Sequence, residues 1–335
     1  MPEIAKNAVR TALAGAVLCV LLTVPAYAQE LIVGGQAVGI RLHTKGVLVA
    51  GVSEVETAAG VCSPARDAGM KKGDIVTKIQ DREAVGAADI IGAVDALGGQ
   101  PVCLTVERGG EELCFTLVPV QSGEGQWMLG LWLRDGVSGI GTLTFSDPDS
   151  GVYGALGHSV NDGESGTVLP LGDGTISSAQ IISATPGESG KPGELNGCTD
   201  LARELGSIER NTEFGIYGQS YVTFAGKMME TGEITAGPAS IPSTVSGSVP
   251  EEYAIEVNRV MREGGETHAV ISVTDPLLLR RTGGIVQGMS GSPVVQNGRL
   301  VGAVTHVFVS DPTRGYVVGI GDMLRAAGIA QDKAA

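Results

Sequence analysis

The chain after residue 120 consists largely of short apolar runs separated by glycine, proline, aspartate or asparagine. Regular short strands divided by turn residues predict a β-barrel or a β-sandwich. Two segments, Pro250–Arg262 and Ile320–Ala327, are predicted to be helices instead. The clearest strand runs are Gly141–Phe145, Val168–Leu171, Tyr221–Phe224, Ala269–Val273 and Leu300–Val304.

The first 120 residues have a different pattern, which combines strands with helices. We therefore expect a small α+β domain over residues 29–120, followed by a β-rich domain over residues 121–335. The predicted elements of the first domain are a strand (Gly46–Ala50), a short helix (Pro64–Gly69), a turn and strand (Lys72–Ile79), a helix (Ala87–Leu97) and a hairpin with its turn at Arg108–Glu111.

The segment Ala68–Ile75, with the sequence AGMKKGDI, resembles the turn that is typical of PDZ domains. The resemblance implies that the loop Gly34–Ile40 receives a peptide carboxylate and that Ile40–His43 is the edge strand beside the peptide. The peptide-binding residues would be Val38, Gly39 and Ile40. The alternative is a PDZ fold that serves only as a spacer or as an intramolecular clamp.

The N-terminal residues have the composition of a targeting segment. Lys6 and Arg10 precede an uncharged, largely apolar run over Thr11–Ala28, which ends in Ala26-Tyr27-Ala28. A basic start, an apolar stretch and small residues at the exit predict a secretory signal or a membrane anchor over residues 1–28. We therefore expect an exported protein, with cleavage and retention of this segment both open.

Charge and cysteine content narrow the function classes. The 335 residues carry a formal net charge of −14 and have no run of lysine and arginine, so the sequence predicts no nucleic-acid partner. No C-x-x-C pair occurs and the histidines lack zinc-site spacing, so we expect no metal and no cofactor. Cys103 and Cys114 should share one face of the predicted hairpin, where a disulfide and two reduced thiols are both open.

The segment Gly283–Gly298 carries the strongest chemical signal. Ser290 lies between glycines in a tight turn, as the nucleophile does in chymotrypsin-like peptidases. The glycines allow a sharp turn whose backbone N–H groups can face an oxyanion, and Gly288 and Ser290 are the expected donors. The alternative is a hairpin turn between core strands. Ser292 precedes Pro293 and is expected inside the turn.

A serine nucleophile needs a base, and the chain has only four histidines. His158 ends an apolar run beside Gly157, which is the strand-end position that a base requires. His306 is the competitor, because its strand directly follows the serine segment. His268 is expected at an exposed strand start, and His43 lies in the first domain.

An acid is needed to hold the imidazole in the correct tautomer. Asp275 lies shortly before the serine segment and gives the chain order His158, Asp275, Ser290. Aspartate before proline is also typical of turns and helix caps. The open alternatives are Asp147, Asp149, Asp162 and Asp173. Met289 stands where trypsin-like enzymes have an aspartate, so trypsin-like zymogen activation should not apply.

Several clustered motifs together resemble the SpoIVB peptidase family. They are GIGTLTF from Gly139, GALGH from Gly154, GSIERNT from Gly206, and the stretch from Thr282 to Pro312. The resemblance implies a chymotrypsin-like double β-barrel with His158, Asp275 and Ser290 as the catalytic residues, and it makes His306 a structural strand residue.

The resemblance also implies a biological role. An exported sporulation-signalling endopeptidase would cleave itself and then a membrane-associated regulator of an intramembrane metalloprotease, which leads to sigma-factor activation. It would act between the forespore and mother-cell membranes, with its N-terminal segment at the membrane. One alternative is a non-catalytic PDZ adaptor. An HtrA-like protease is disfavoured, because HtrA chains carry their PDZ units after the protease domain.

Overall fold

The computed structural model describes residues 29–161, 166 and 168–329. The predicted targeting segment, residues 1–28, lies outside the described residues. Strands make up most of the described chain, so the mainly β prediction is confirmed. Within the described ranges, no helix is both long and apolar enough to cross a membrane.

The strands, numbered in chain order, are β1 (Glu30–Val33), β2 (Ala37–Val52), β3 (Val55–Thr57), β4 (Gly60–Cys62), β5 (Ile75–Ile79), β6 (Arg82–Glu83), β7 (Val102–Arg108), β8 (Glu111–Leu117), β9 (Val120–Gln121), β10 (Trp127–Met128), β11 (Leu131–Ser146), β12 (Val152–Ala155), β13 (Leu171–Thr185), β14 (Glu194–Ser207), β15 (Arg210–Thr212), β16 (Gly215–Gln219), β17 (Met228–Glu230), β18 (Gly237–Ser243), β19 (Glu251–Glu263), β20 (Glu266–Val273), β21 (Pro293–Gln296), β22 (Arg299–Phe308) and β23 (Asp311–Gly319). The helices are α1 (Pro64–Asp67), α2 (Ala87–Leu97), α3 (Pro276–Thr282) and α4 (Ile320–Ala327). Helices α1, α2 and α4 lie where the sequence predicts them.

Six strands close into a barrel in the order β18, β19, β20, β23, β22 and β21. Its interior is filled by buried aliphatic and aromatic side chains. Beside it lies a larger open sheet, in which β15, β16, β12, β11 and β2 are successive neighbours. This pairing of a closed barrel with an open, barrel-like sheet matches the predicted chymotrypsin-like architecture.

The predicted helix at Pro250–Arg262 is wrong, because this segment is strand β19. It pairs with β18 on one edge and with β20 on the other. Tyr253, Ile255 and Val257 are buried, and more exposed residues lie between them. Buried and exposed residues thus alternate with a period of two, as in a half-buried strand. The segment is a strand because its pairing with β18 and β20 closes the barrel.

Strands β2 and β11 connect the two units of the protein. Each has 16 residues, and they pair with one another along most of their length. Val47 and Val49 of β2, with Leu131 and Leu133 of β11, pack into the α+β core. The chain therefore passes between the units twice, through these two strands, whereas the sequence-based division has one boundary after residue 120.

The α+β unit has its own apolar core between α2 and the sheet of β2, β5, β7 and β8. Its predicted hairpin is present as β7 and β8. Asp74, in the PDZ-like turn, is almost completely buried and receives a hydrogen bond from Arg108 Nε at 2.6 Å. This charge pair fixes the turn against the hairpin, because a buried carboxylate requires a partner.

The predicted peptide-binding residues Val38, Gly39 and Ile40 are not on an edge strand. They lie in β2, which pairs with β11 on one side and with β13 on the other. The preceding N–H groups of Gly34 and Gly35 donate to Thr144 and Leu143. A peptide cannot add to a strand whose two edges are already paired, so this assignment is corrected.

Candidate active site

The serine turn lies between the open sheet and the barrel. From β11, Thr142 donates its backbone N–H to the Ser290 carbonyl at 2.9 Å and its hydroxyl to the Gly288 carbonyl at 2.8 Å. The Thr144 hydroxyl donates to the Gly291 carbonyl at 2.7 Å. On the barrel side, Gly291 N–H donates to Val304 at 2.7 Å. Both sheets therefore fix the backbone around Ser290.

Two glycines allow the backbone to adopt this turn. Gly288 and Gly291 have φ values of 97° and 93°, which residues with a Cβ atom rarely adopt. A Cβ atom on Gly291 would lie 2.5 Å from the Leu156 nitrogen. The Gly-x-Ser-Gly pattern is therefore required by backbone geometry and by close packing.

The turn presents two unused hydrogen-bond donors. Met289, Gly291 and Ser292 each donate their backbone N–H to a carbonyl. Within the described residues, the N–H groups of Gly288 and Ser290 have no acceptor. Paired N–H groups beside a serine hydroxyl are the arrangement that stabilises an oxyanion in acyl transfer.

The two serines of the segment have different environments. Ser290 is half-buried, and its hydroxyl donates to the Thr305 carbonyl at 2.7 Å. Ser292 is fully buried and bonds to Met289 and Ser243. Ser292 is therefore a core residue, and Ser290 is the hydroxyl that can reach a substrate.

His158 follows a sharp turn at the end of β12. Leu156 and Gly157 both have a φ of 70°, and the strained conformation of Leu156 turns the chain sharply. A Cβ atom on Gly157 would lie 3.1 Å from the Thr305 side chain. Gly157, which directly precedes His158, thus packs on Thr305, whose carbonyl accepts the Ser290 hydroxyl. No hydrogen bond joins His158 to Ser290 within the described chain.

The hydrogen bonding of His158 selects its tautomer. Its Nδ1 lies 2.7 Å from the Ser159 carbonyl oxygen, which can only accept, so Nδ1 carries the proton. The lone pair is then on Nε2, as a general base requires. Burial lowers the pKa of His158 to about 4; the Ser159 hydrogen bond opposes this shift, and nearby His306 adds to it. His158 is therefore neutral at pH 7.

Asp275 is not brought to His158. Its carboxylate accepts from Leu277 and Leu278 at 2.8 and 3.0 Å, and so caps helix α3. Burial raises the pKa of this carboxyl, but the N–H groups of Leu278, Ala254 and Leu277 outweigh burial and hold the pKa below its usual range. The structure corrects the predicted triad role: Asp275 is a helix cap.

The alternative acids do not supply the missing partner. Asp147 accepts from Ser150 and from Asp149 N–H within its own turn. Asp173 bonds to His43 at 2.9 Å. Asp162 lies outside the described residues. No carboxylate of the described chain hydrogen-bonds to His158, and the Ser159 carbonyl performs the tautomer-fixing role.

Sequence reasoning missed the residues that support the site. The sequence pattern predicts Thr142 and Thr144 only as parts of a strand, yet their hydroxyls hold the serine turn. Their two-residue spacing puts both on one face of β11, which was the available signal. The backbone carbonyls of Ser159 and Thr305 carry no sequence signal.

A family model described as SpoIVB peptidase S55 matches residues 125–324 of the chain. This range covers more than half of the protein and includes His158 and Ser290. The chain belongs to the SpoIVB peptidase family. It is therefore a serine peptidase, and the family match begins within the α+β unit, before the two elements that carry His158 and Ser290.

Other similarities are partial or distant. Two proteins of Xylella fastidiosa, strains Temecula1 and 9a5c, each described as a putative zinc metalloprotease, are 32% identical over 69 residues. This match spans 20% of the SpoIVB-family chain and 16% of each relative.

Among solved structures, the active form of the Rv3671c protease from M. tuberculosis is 14% identical, with a TM-score of 0.33. The match covers 58% of this chain and 76% of that one. Its inactive form gives 12% identity and a TM-score of 0.34, over 56% of this chain and 84% of that one.

Proposed function

We propose that this SpoIVB-family peptidase hydrolyses peptide bonds with Ser290 as nucleophile, His158 as general base, and the N–H groups of Gly288 and Ser290 as oxyanion donors. The observation that carries the proposal is the Ser290 turn itself, in which a half-buried hydroxyl that donates to the Thr305 carbonyl lies beside two unused N–H donors. The imidazole of His158 has a free Nε2 and follows Gly157, which packs on Thr305. These are the components of acyl transfer through a serine ester.

Catalysis would begin with a rotation of the Ser290 side chain. In the structure its hydroxyl donates to the Thr305 carbonyl, so the proton is not shared with His158. A substrate strand whose N–H donates to the Thr305 carbonyl would displace the Ser290 hydroxyl. The hydroxyl would then donate to Nε2 of His158. Attack on the scissile carbonyl then gives a tetrahedral oxyanion at the two N–H groups, and His158 passes the proton to the leaving amine.

The α+β unit provides a groove at a different place from the predicted loop. A groove of about 360 Å³ lies between α2 and the segment from Gln126 to Leu133, with Ile90, Ile91 and Val94 on the helix side. Leu131–Leu133 pair with β2 on one edge only. In the described chain, the N–H groups of Leu129 and Gly130 have no acceptor.

These features support a proposed PDZ-type site for a C-terminal peptide. The free edge of β11 would pair with the peptide, and the two N–H groups would bind its carboxylate. Ile91→Asp should abolish binding of a labelled peptide with an apolar C-terminal residue, while Val85→Asp, an exposed change outside the groove lining, should not. Equal binding of the amidated peptide would refute the carboxylate contact.

In biological terms, we infer an exported sporulation-signalling endopeptidase that first cleaves itself. Its further target would be a membrane-associated regulator of an intramembrane metalloprotease, upstream of sigma-factor activation, between the forespore and mother-cell membranes. Family membership and the basic, then apolar N-terminus support this role. Strand β1 pairs with β11 and β17 from Glu30 onward, so a cut within β1 would require these strands to separate, and we expect self-cleavage before Glu30.

N-terminal sequencing of the purified full chain beside a Ser290→Ala variant tests this proposal. The wild-type protein should acquire a new N-terminus at or before Glu30, and the variant should keep its original one. Identical processing of both proteins would show that another protease makes the cut, and no processing of either would remove self-cleavage from the proposal.

A further inference from the structure

A second histidine lies against the proposed base. The rings of His158 and His306 have centroids 4.6 Å apart and planes inclined by 32°. They come from different elements, the turn after β12 and strand β22, and the packing of Gly157 on Thr305 brings them together. The proposed peptidase mechanism has no step for the His306 side chain.

Both rings have nitrogen lone pairs available. Nδ1 of His158 donates to the Ser159 carbonyl, which leaves Nε2 without a hydrogen-bond partner in the part of the chain that the structure describes. The His306 imidazole makes no hydrogen bond or ion pair within the described residues, and the residue is exposed. By contrast, His43 is paired with Asp173 at 2.9 Å and His268 with Glu266 at 3.3 Å.

We propose that His158 and His306 together bind one borderline transition-metal cation, with Zn²⁺ as the type case, and that the bound cation inhibits the peptidase. Imidazole nitrogen is a preferred ligand of Zn²⁺, Ni²⁺ and Cu²⁺. Because His306 is exposed and unbonded, rotation of its side chain can direct a lone pair to the ion beside Nε2 of His158. Water would complete the coordination.

The proposed site differs from a structural zinc centre. The described residues contain no group of three or more histidine, cysteine, aspartate or glutamate side chains that could hold a metal. Two protein ligands leave the remaining positions to solvent, so binding should be reversible and sensitive to chelators. The cation would occupy the lone pair that takes the serine proton. The inhibitory consequence therefore rests on the proposed function, while cation binding itself does not.

Calorimetric titration of the full-length Ser290→Ala variant with ZnCl₂ measures binding without any activity. We expect one Zn²⁺ per chain, with affinity lowered by roughly tenfold or more when His306→Gln is added, since loss of a supporting contact alone costs 10–100-fold. The controls His43→Gln and His268→Gln should leave this affinity unchanged. Unchanged affinity in the His306→Gln variant, or no binding at all, would overturn the site.

The same cation tested on the Ser290-containing enzyme separates the two proposals. Zn²⁺ should inhibit peptide cleavage reversibly, excess EDTA should restore it, and the metal-free cleavage rate of His306→Gln should change little when Zn²⁺ is added. If His306-dependent binding occurs but no cleavage is found, the cation site stands and the proposed peptidase mechanism fails. If cleavage occurs and His306→Gln is inhibited as strongly as wild type, the cation site is wrong.

Discussion

The Ser290 hydroxyl donates its proton to the Thr305 carbonyl, 2.7 Å away, and not to His158. Thr305 thereby connects the nucleophile with the turn that carries the base, since Gly157 packs on its side chain. In this arrangement the nucleophile is present but not activated. Met289 stands where trypsin-like enzymes have the aspartate of their activation switch. We therefore expect the Ser290 hydroxyl to be released when a substrate docks on Thr305.

Thr142 should influence catalysis through the oxyanion donors. Its hydroxyl bonds to the Gly288 carbonyl, so Thr142→Val leaves the turn free to shift. We expect kcat to fall by roughly tenfold with little change in KM, less than the loss of an oxyanion donor itself. Thr144→Val removes a similar buried hydrogen bond, to Gly291, and is the matched control. Equal effects of the two variants on kcat would contradict the specific role of Thr142.

Substitutions of Asp275 distinguish a helix-capping role from a catalytic role. Asp275→Asn keeps a good N-cap, so both stability and activity should stay close to wild type. Asp275→Ala should lower the free energy of unfolding by about 1 kcal/mol, measured by urea denaturation. If Asp275 were the triad acid, Asp275→Asn would instead reduce kcat by about ten-thousand-fold.

The pH dependence should reflect the buried imidazole. Because the folded pKa of His158 is lowered to about 4, the base stays unprotonated down to that pH. The acid limb of kcat/KM should therefore lie near pH 4, well below the ordinary histidine value. An acid limb near pH 6.5 would show that His158 is solvated or paired with a carboxylate during catalysis.

The same pKa shift has a consequence for stability. The unfolded chain takes up a proton on His158 near its ordinary pKa, whereas the folded protein does so only near pH 4. The free energy of unfolding should therefore decrease as the pH falls through this interval. The Ser290→Ala, His158→Gln double variant should lose this component, which makes it the control for acid titration of other groups.

The hairpin cysteines should form a disulfide under oxidising conditions. The Sγ atoms of Cys103 and Cys114 lie 2.6 Å apart on β7 and β8. Thiol titration of air-oxidised, unfolded protein should find two fewer thiols than titration after reduction. Closing this short loop should raise the free energy of unfolding by about 2–4 kcal/mol. Cys198→Ser should leave the difference intact, and an unchanged thiol count would refute the pairing.

Local sequence patterns predicted the parts of the protein that are determined locally. The turn around Ser290 is dictated by the φ requirements of Gly288 and Gly291, which the sequence displays directly. Helix α2 follows from its apolar spacing. The strand-end position of His158 was also visible, because an apolar run meets a glycine at that point.

The sequence-based predictions are wrong where pairing with distant strands determines the local conformation. Segment Pro250–Arg262 is a strand because β18 and β20 flank it. Ile40 is central because β13 returns from far along the chain to cover its edge. Asp275 shows a chemical ambiguity, since aspartate before proline has the same sequence whether it caps a helix or orients a histidine.

The most direct measurement is mass-spectrometric mapping of the intact chain after reaction with a peptidyl fluorophosphonate, whose backbone N–H groups can dock on the Thr305 carbonyl and which labels serines that have both a base and an oxyanion site. The account predicts a single label on Ser290, lost in Ser290→Ala and strongly reduced in His158→Gln, with Ser292 unmodified. Absence of labelling in the folded protein, or equal labelling in the His158→Gln variant, would contradict the assignment of nucleophile and base.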